Sequence, residues 1–245
     1  MDDIFAFQPV FVRSGDTPIA CYTWGQGKPL VLLHGNGEDS HYFAKQIPVF
    51  AQRFRVIAVD SRGHGQSGYD THGLNFDRMA DDLNAVFEAF GLGRAHILGF
   101  SDGGNLAIKF ALKYPDHVDR LILNGANIHM LTGIKPATQL PLYPVLGALA
   151  VLRPFGAAFR HKFDVLALMA RDYGVDWADL RRITARTLVI AGENDMVFDE
   201  HSWRIALCLP HGRLYRIPGG DHFCAAKLPA QFNLAVMRFL LEDFS

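Results

Sequence analysis

Cysteine is scarce in this sequence, and its three occurrences lie far apart, at Cys21, Cys208 and Cys224. Their number is odd, and none shows the C-x-x-C or Cys/His spacing of a zinc site. These absences argue against a disulfide-stapled secreted scaffold and against a structural metal module. We expect reduced thiols in a reducing compartment, with Cys224 as a small buried apolar side chain even though it lies two residues after His222.

Long hydrophobic runs are also lacking. The longest apolar stretch without a charge covers residues 140–152, contains Pro141 and Pro144, and is too short to span a bilayer. Residues 1–4 include two aspartates and lack the charge pattern of a signal peptide. The sequence therefore predicts a cytoplasmic protein with no membrane partner.

The sequence also lacks an excess of either charge. It contains 24 Lys and Arg residues and 25 Asp and Glu residues, which gives a net charge of −1. This balance disfavours a nucleic-acid partner and a general attraction to anionic membranes. The turn His34-Gly35-Asn36-Gly37 could be mistaken for part of a phosphate loop, but no G-x-x-x-x-G-K-[ST] motif accompanies it. We expect no nucleotide, no metal and no other cofactor, and a small molecule as the partner of a monomer or homodimer.

What the sequence does contain is an ordinary globular balance, with 49% apolar and 20% charged residues in a chain of 245. A chain of this length can form a large core as one α/β domain. Short buried runs alternate with amphipathic stretches, which predicts a mainly parallel sheet covered by helices on both faces. The predicted strands are residues 10–13, 19–24, 30–33, 55–59, 95–98, 121–123, 188–191 and 214–217. The predicted helices are residues 40–52, 75–92, 105–112, 199–207 and 228–241.

For two of these helices the sequence predicts further details. Ser40 is the expected N-cap of the helix over residues 40–52. The helix over residues 75–92 is the clearest, because its large apolar residues fall on one face and its acidic residues, Asp82 among them, fall on the others. Residues 128–186 break the alternation, since they contain no clear buried strand and are rich in Leu, Ala, Phe and Met.

The most informative motif is Gly99-Phe100-Ser101-Asp102-Gly103, which fits the pattern G-x-S-x-G. It lies between the predicted strand 95–98 and the predicted helix 105–112, so the chain turns sharply at Ser101. Such a turn lifts a serine hydroxyl clear of the sheet, where it can attack a carbonyl carbon. Glycines flank the serine because a β-carbon two positions away would crowd the neighbouring backbone.

A serine hydroxyl needs a base that accepts its proton and an acid that orients the base. In hydrolases built around this elbow, the order along the chain is serine, acid, histidine. Asp195 follows the predicted strand 188–191, and His222 follows the predicted strand 214–217. Because ligands bind at the C-terminal ends of the strands in open parallel sheets, we expect Ser101, Asp195 and His222 to meet at one edge.

Other acids and histidines compete for these assignments. Glu193 and Asp199 lie in the same loop as Asp195, and position at the end of the strand is the criterion that favours Asp195. His34 and His64 precede the elbow, whereas the base comes last in the expected order. We interpret these two histidines as hydrogen-bonding residues that shape their loops.

Together these features resemble the α/β-hydrolase fold family. The matching segments are residues 34–37, 60–67, 99–103, 192–195 and 220–222, spread over nearly the whole chain. The elbow sequence, continued by a further glycine, is similar to that of small bacterial esterases and valacyclovirase-like proteins. The resemblance implies an α/β-hydrolase fold in which a short helical cap, residues 128–186, is inserted between core segments 1–127 and 187–245.

The resemblance also completes the predicted site. Ser101 is the expected nucleophile, His222 the base, and Asp195 the acid that orients the base. The oxyanion of the tetrahedral intermediate needs preorganised donors, and one is the backbone N–H of Asp102 at the start of a helix. By resemblance, the other is the backbone N–H of Asn36. The Asp102 carboxylate either stabilises the helix N-terminus or disfavours anionic substrates.

The expected reaction is acyl transfer, and hydrolysis of a carboxylic ester of a small to medium, partly apolar substrate is the first expectation. Cleavage of an amide, a lactone, a thioester or a carbon–carbon bond stays open, as does perhydrolase activity, because one triad serves all of them. A ligand-binding sensor on a hydrolase scaffold is the alternative from another class. Related epoxide hydrolases and haloalkane dehalogenases carry an aspartate at the elbow, and Ser101 argues against both.

Overall fold

Short runs of buried aliphatic residues form an eight-stranded sheet, which a computed structural model describes within residues 8–242. The acidic residues 1–4 and the last three residues lie outside the described part. The strands are β1 (Val10–Ser14), β2 (Thr17–Trp24), β3 (Lys28–Leu33), β4 (Phe54–Val59), β5 (Ala95–Phe100), β6 (Val118–Asn124), β7 (Arg186–Gly192) and β8 (Gly212–Ile217). Their order is β1-β2-β4-β3-β5-β6-β7-β8, and only the β1–β2 and β2–β4 pairs are antiparallel. The predicted mostly parallel α/β sheet is confirmed.

Helices connect the parallel strands, as right-handed crossovers between such strands require. They are α1 (Ile47–Phe50), α2 (Phe76–Phe90), α3 (Asp102–Lys113), α4 (Met130–Gly133), α5 (Pro136–Gln139), α6 (Leu142–Leu152), α7 (Ala157–Leu168), α8 (Trp177–Leu180), α9 (Asp199–Cys208), α10 (Cys224–Lys227) and α11 (Pro229–Leu241). Short 3-10 turns lie at Ser40–Phe43, Pro115–His117 and Arg153–Phe155. Within residues 8–242, no helix is both long enough and apolar enough to cross a membrane.

The sheet separates two apolar cores, because successive side chains of a strand point to opposite faces. In β3, Leu30 and Leu32 belong to one core, whereas Val31 and Leu33 belong to the other. The helices α2 and α3 cover the face of Val31 and Leu33, and α11 covers the opposite face. Burial on both faces explains why the central strands are apolar throughout instead of alternating.

The expected helix over residues 40–52 is wrong in its details. The structure has the 3-10 turn Ser40–Phe43 followed by the single turn α1, with Pro48 in the first positions of α1. Asp39, not Ser40, is the N-cap, since its carboxylate accepts the backbone N–H of His41. The Ser40 hydroxyl instead donates to Asp60 Oδ1 at 2.6 Å, a long-range partner that no local pattern reveals.

The helix α2 forms where the sequence predicts it, but one of its acidic residues is buried instead of exposed. Asn75 caps its start by accepting the Arg78 N–H, and Gly91 ends it with a left-handed φ of 60°. Asp82 was expected on an outer face, but it is buried. Its carboxylate forms two hydrogen bonds with the buried guanidinium of Arg62, and this ion pair is what makes its burial possible.

Residues 128–186, hereafter the cap, contain the helices α4 to α8, and their last residue, Arg186, is the first residue of β7. Before Arg186, Ile134 forms an isolated bridge with Val197. The strand β7 begins at the end of the cap. Trp177 stacks edge-on against His201 of α9, with ring centroids 4.9 Å apart, and thereby attaches the cap to the core. That the cap is a subordinate unit of one domain stays a prediction.

Candidate active site

Ser101 lies at the sharp turn between β5 and α3. Its backbone has φ 52° and ψ −119°, and it is the single non-glycine residue with a positive φ among residues 8–242. Strained conformations of this kind concentrate at functional sites. The two motif glycines are required sterically, because a β-carbon at Gly99 would lie 2.2 Å from the Gly103 carbonyl oxygen and one at Gly103 would lie 2.1 Å from that of Leu33.

The three predicted triad residues form one hydrogen-bonded chain. His222 Nδ1 lies 2.7 Å from Asp195 Oδ1, and His222 Nε2 lies 3.1 Å from Ser101 Oγ. Asp195 and His222 are buried, with 3% and 5% of their surface exposed. A proton on Nδ1 donates to the carboxylate, which leaves the Nε2 lone pair facing the serine hydroxyl. This arrangement is suited to removing the hydroxyl proton during attack on a carbonyl.

Backbone groups hold the Asp195 carboxylate in place. The N–H of Val197 donates to Oδ1 at 3.0 Å, and the N–H of Gly192 donates to Oδ2 at 3.3 Å. The rival acids are engaged elsewhere. Glu193 is exposed and accepts a backbone N–H in the β8 loop, while Asp199 pairs with a surface arginine. Of the three acids, the structure brings only Asp195 against a histidine.

One neighbour of the histidine was missed by sequence reasoning. Gly125 follows β6 and has a φ of 63°, and a β-carbon there would lie 2.7 Å from His222 Cε1. The available signal was a glycine directly after a predicted strand, which is the position of site loops in parallel sheets. Gly125 therefore makes room for the imidazole ring.

The two predicted oxyanion donors lie side by side. Asn36 belongs to the turn after β3 and Asp102 opens α3, and their side chains are joined by a hydrogen bond of 2.9 Å. Neither backbone N–H donates to another group within residues 8–242. Both amides are thus free to bind an oxygen, and the dipole of α3 adds positive potential at Asp102. Their role in catalysis stays a prediction.

The two earlier histidines shape the loops at this edge. His34 bonds to the Gly35 carbonyl through Nδ1 at 2.8 Å and accepts the Ser61 N–H on Nε2 at 2.9 Å. His64 bonds to the Arg62 carbonyl through Nδ1 at 3.0 Å. Burial lowers the pKa of both imidazoles, that of His64 to about 4, so they stay neutral as these hydrogen bonds require.

Two carboxyl groups flank the nucleophile. Burial raises the pKa of Asp102 to about 6, against the opposing effect of hydrogen bonds from Asn36 and Asn105. Burial likewise raises the pKa of Glu38 to about 7, although this carboxylate accepts the Gly35 N–H at 3.2 Å. Sequence reasoning did not identify Glu38, and its only signal was an acid next to the turn that holds Asn36. The site therefore changes its charge between weakly acidic and weakly basic pH.

Aromatic rings close one side of the site. The Phe100 ring lies 5.0 Å from the His222 ring, and Tyr42 stacks in parallel on Phe100 at 4.2 Å. Beneath them, Cys224 is fully buried, and its sulphur accepts a hydrogen bond from the Asn124 side chain. Burial raises the pKa of the Cys224 thiol to about 11, so the thiol stays protonated and is not a competing nucleophile.

The sequence was expected to lack a G-x-G-x-x-G motif as well, but residues 63–68 have this pattern. They form the turn after β4, and no helix opens there, so the context of a dinucleotide-binding loop is missing. Within residues 8–242, no group of three or more His, Cys, Asp or Glu side chains is placed to hold a metal ion. That the reaction needs no cofactor stays a prediction.

Comparison with known proteins agrees with this architecture. The model of the alpha/beta hydrolase fold family matches residues 28–145. The protein named "Putative carbamate hydrolase RutD" from Caulobacter sp. (strain K31) is 31% identical over 243 residues, which cover 86% of this chain and 90% of that protein. A solved hydrolase from Pseudomonas aeruginosa PA01 is 26% identical, with a TM-score of 0.80 over 97% of this chain and 100% of that one.

A second solved structure, Est816, an N-acyl homoserine lactone degrading enzyme, is 26% identical. It superimposes with a TM-score of 0.79 over 94% of this chain and 100% of its own. The similarity to these relatives thus extends over nearly their whole length. The chain therefore belongs to the alpha/beta hydrolase fold family, and its relatives support a hydrolase function.

Proposed function

We propose that the protein is a serine hydrolase that cleaves a carboxylic ester, or a related acyl bond, through an acyl-enzyme. The observation that carries this proposal is the hydrogen-bonded chain Asp195–His222–Ser101, with distances of 2.7 Å and 3.1 Å, at a strained strand-to-helix turn. The two unpaired amides of Asn36 and Asp102 beside the serine support it further.

In the proposed acylation step, Ser101 Oγ attacks the carbonyl carbon while His222 Nε2 takes the hydroxyl proton. The carbonyl π electrons move to the oxygen, and the amides of Asn36 and Asp102 bind the resulting oxyanion. Asp195 keeps the imidazole in the productive tautomer and stabilises the imidazolium. When the carbonyl re-forms, the bond to the alcohol breaks, and the alcohol oxygen receives the proton from His222.

Deacylation repeats these steps with water as the nucleophile. His222 accepts a proton from the water, the hydroxide oxygen adds to the acyl carbon, and the oxyanion again binds the two amides. Collapse of this intermediate returns the proton to Ser101 Oγ and releases the carboxylic acid. Attack, oxyanion binding and release thus use the same five residues in both halves of the reaction.

A small to medium, partly apolar substrate is the proposed class. The cap supports this choice, because it is rich in aliphatic and aromatic residues and reaches the catalytic loops. Its Lys135 ammonium donates to the Asp195 carbonyl at 2.6 Å, and its Val165 carbonyl accepts the Asn36 side chain at 2.7 Å. These contacts support the proposal that a substrate bound at Ser101 meets apolar side chains of the cap.

The test combines a fluorophosphonate probe with a series of p-nitrophenyl esters of rising acyl length. Rapid labelling and ester hydrolysis are expected, and Ser101→Ala should abolish both. Ser202→Ala is the matched control, since it removes another buried hydroxyl that has no hydrogen-bond partner within residues 8–242. Folded wild-type protein that is neither labelled nor active on any ester would instead support the ligand-binding sensor.

Carbamate hydrolysis is the second candidate, and the name of the 31% identical RutD relatives favours it. The same serine would form a carbamoyl-enzyme, with the alcohol of the carbamate as the leaving group. A p-nitrophenyl carbamate and the matching p-nitrophenyl ester separate the two, because they release the same phenol. A higher kcat/KM for the carbamate would favour this candidate, whereas a stoichiometric burst without turnover would favour the ester.

The remaining expectations are also proposals. Amide, lactone, thioester and carbon–carbon substrates, and peroxide in a halogenation assay, complete the substrate panel for the same triad. A cytoplasmic location, a monomeric or homodimeric state, and the absence of nucleic-acid and membrane partners stay predictions, to be checked by fractionation and by light scattering.

A further inference from the structure

The Asn36 side chain makes two hydrogen bonds that the proposed chemistry does not use. Its Nδ2 atom lies 2.9 Å from Asp102 Oδ2 and 2.7 Å from the Val165 carbonyl oxygen. Both partners can only accept, so the amide nitrogen rather than the oxygen must face them, and both of its N–H groups are used. One side-chain amide thus joins two distant parts of the chain.

The first partner belongs to the end of a cap helix. Val165 lies in the last turn of α7, where the final carbonyls lack intrahelical donors. Met169, whose N–H would close the α-helical bond to Val165, donates to the Leu166 carbonyl at 3.2 Å instead. The Val165 carbonyl therefore does not receive the usual hydrogen bond from Met169, and the Asn36 side chain donates to it instead.

The second partner, Asp102, lies at the start of α3, the helix that directly follows Ser101 and is hereafter called the elbow helix. Asp102 is the first residue of α3, and its buried carboxylate accepts Asn36 on Oδ2 and Asn105 on Oδ1. The backbone N–H of the same Asp102 is a proposed oxyanion donor. Asn36 therefore links the two proposed donors to each other through its side chain, in addition to linking both to the cap.

The other hydrogen bonds of the turn involve residues next to Asn36, and one of them joins the Gly35 carbonyl to His34, which is itself held by the Ser61 N–H. Gly35 and Glu38 bond to each other, with their backbone groups 3.3 Å apart and the Glu38 carboxylate accepting the Gly35 N–H at 3.2 Å. These contacts are local to the turn, and the following Gly37 is exposed with a left-handed φ of 70°. Among the hydrogen bonds within residues 8–242, those of the Asn36 side chain join this turn to α3 and α7.

The acid side of the site is tied to the cap in a similar way. The Lys135 N–H donates to the Met196 carbonyl at 2.8 Å, and the Phe198 N–H donates to the Gly133 carbonyl at 2.8 Å. The cap is thus attached at its start to the loop of the catalytic acid and near its end to the turn of Asn36. A displacement of the cap would therefore be transmitted to both loops.

We propose that the Asn36 side chain is a positioning residue, which uses the cap and the elbow helix to hold the oxyanion amides in register. The inference rests on the proposed function. Its physical reason is geometric, because oxyanion donors act only when they point at the developing charge, and a misplacement of about 1 Å can reduce a rate roughly 100-fold. Packing of the cap thereby contributes to catalysis without touching the reacting atoms.

Asn36→Ala is the direct test, because it removes both side-chain bonds and keeps the backbone N–H. We expect kcat for a p-nitrophenyl ester to fall by roughly 10- to 100-fold, with KM changed by less than about threefold. Binding of an alkyl boronic acid, which forms a tetrahedral adduct with the serine, should weaken by the same factor. The affinity for the carboxylate product should hardly change. If Asn36 had only a structural role, its loss would weaken the binding of the boronic acid and of the carboxylate product alike.

Asn105→Ala is the matched control, since it removes the other donor to the Asp102 carboxylate and the acceptor of the Asn127 N–H, but leaves both side-chain bonds of Asn36 in place. Its kcat and boronic acid affinity should stay within about threefold of wild type, even if its melting temperature falls. Asn36→Asp is the second variant, in case the alanine variant fails to fold. It keeps the shape but places two carboxyl groups together, so its activity relative to wild type should rise as the pH falls and one proton is shared.

Hydrogen–deuterium exchange gives a readout that does not depend on turnover. Peptides covering residues 34–40 and 160–170 should exchange faster in Asn36→Ala than in wild type. Unchanged exchange, or wild-type kcat and boronic acid affinity in a folded Asn36 variant, would overturn the inference. Failure of the proposed function looks different, because then the wild-type protein itself is neither labelled by the fluorophosphonate nor active on any acyl substrate.

Discussion

At the scale of single residues, Asp102 combines two roles that oppose each other. Its backbone N–H is a proposed oxyanion donor, whereas its carboxylate brings a negative charge close to the same place. Burial raises the pKa of this carboxyl to about 6, so the charge is present at neutral pH and disappears in weak acid. Hydrogen bonds from Asn36 and Asn105 hold the carboxylate, and we infer that it selects against anionic substrates.

The prediction compares a neutral ester with an otherwise matched ester that carries a sulfonate, whose charge does not titrate. The ratio of the two kcat/KM values should favour the neutral ester roughly tenfold more at pH 8 than at pH 5, since about 1.4 kcal/mol of repulsion gives that factor. Any pH dependence that is common to the two substrates cancels in the ratio. Asp102→Asn should reduce this change of the ratio with pH, leaving the part that comes from Glu38, while Asp199→Asn, at a surface ion pair, should not. An unchanged ratio in Asp102→Asn contradicts the assignment.

Glu38 supplies a second pH-dependent property, this time of stability. Burial raises its pKa from 4.5 to about 7, so the folded state binds the proton more tightly than the unfolded state. The stabilising contribution is complete below about pH 4.5 and is lost as the pH rises through 7. Glu38→Gln keeps an acceptor for the Gly35 N–H and cannot ionise.

The expected outcome is a difference in melting temperature, variant minus wild type, that grows between pH 4.5 and pH 8. Thermal unfolding followed by circular dichroism at several pH values measures it. Glu193→Gln is the control, because Glu193 also accepts a backbone N–H but is exposed, and no burial cost is relieved there. A difference that is flat over this pH range would show that burial does not govern Glu38.

At the scale of elements, a buried ion pair connects the loop after β4 to the inner face of α2. Arg62 and Asp82 are each about 5% exposed, and Arg62 Nε donates to the carboxylate at 2.8 Å. The guanidinium also donates to Thr17 and to Asp70. Such a pair adds little over apolar packing, but removal of Asp82 leaves the buried guanidinium with the partly exposed Asp70 as its counter-charge.

Asp82→Ala should therefore lower the free energy of unfolding by about 3–5 kcal/mol, measured by urea denaturation. Its neighbour provides the comparison. Asp81 is on the exposed face of α2, where it pairs with Lys113 and accepts the Tyr114 hydroxyl, so Asp81→Ala should cost less than about 1 kcal/mol. Equal effects of the two substitutions would mean that burial of the Arg62 pair does not matter.

At the scale of the whole molecule, the sheet converts three separate loops into one site. Ser101 follows β5, Asp195 follows β7 and His222 follows β8, and parallel pairing brings the three strand ends to one edge. Residues separated by more than 100 positions thereby reach hydrogen-bonding distance. A group assembled in this way acts as a unit, because each member works only through the others.

Non-additivity is the corresponding prediction. Ser101→Ala and His222→Ala should each lower kcat by at least about 10⁴-fold, and the double variant should be no slower than the single variants. Steady-state kinetics on the best p-nitrophenyl ester, with the residual rate corrected for the solution reaction, measures this. If the reduction of kcat in the double variant equalled the product of the two single reductions, the two residues would act independently. That result would contradict a single hydrogen-bonded relay.

The parts of this protein that could be predicted are those whose signal is local. The strands are short apolar runs, and the elbow is a five-residue pattern whose glycines are needed because of close backbone contacts around Ser101. The helix α2 shows its apolar stripe, its Asn75 cap and its terminal glycine in consecutive residues. In each case the physical cause acts within a few positions, so the sequence shows it directly.

The features that were missed depend on partners distant in sequence. Asp82 has the spacing of an outer-face acid and is buried because Arg62, 20 residues away, neutralises it. Gly125 matters only through the His222 ring, and the raised pKa of Glu38 arises from burial of its carboxyl in the folded chain. Residues that are close in sequence do not indicate these long-range contacts.

By itself the sequence determined the alternating α/β architecture, the serine elbow and the order of nucleophile, acid and base, because periodicity, glycine sterics and strand-end position are properties of short segments. Only the tertiary structure decided which side chains touch. It selected Asp195 as the acid hydrogen-bonded to His222, and it made Asn36 a link between the elbow helix and the cap. Those contacts join segments far apart in the chain, and they exist only when the sheet and the cap are folded.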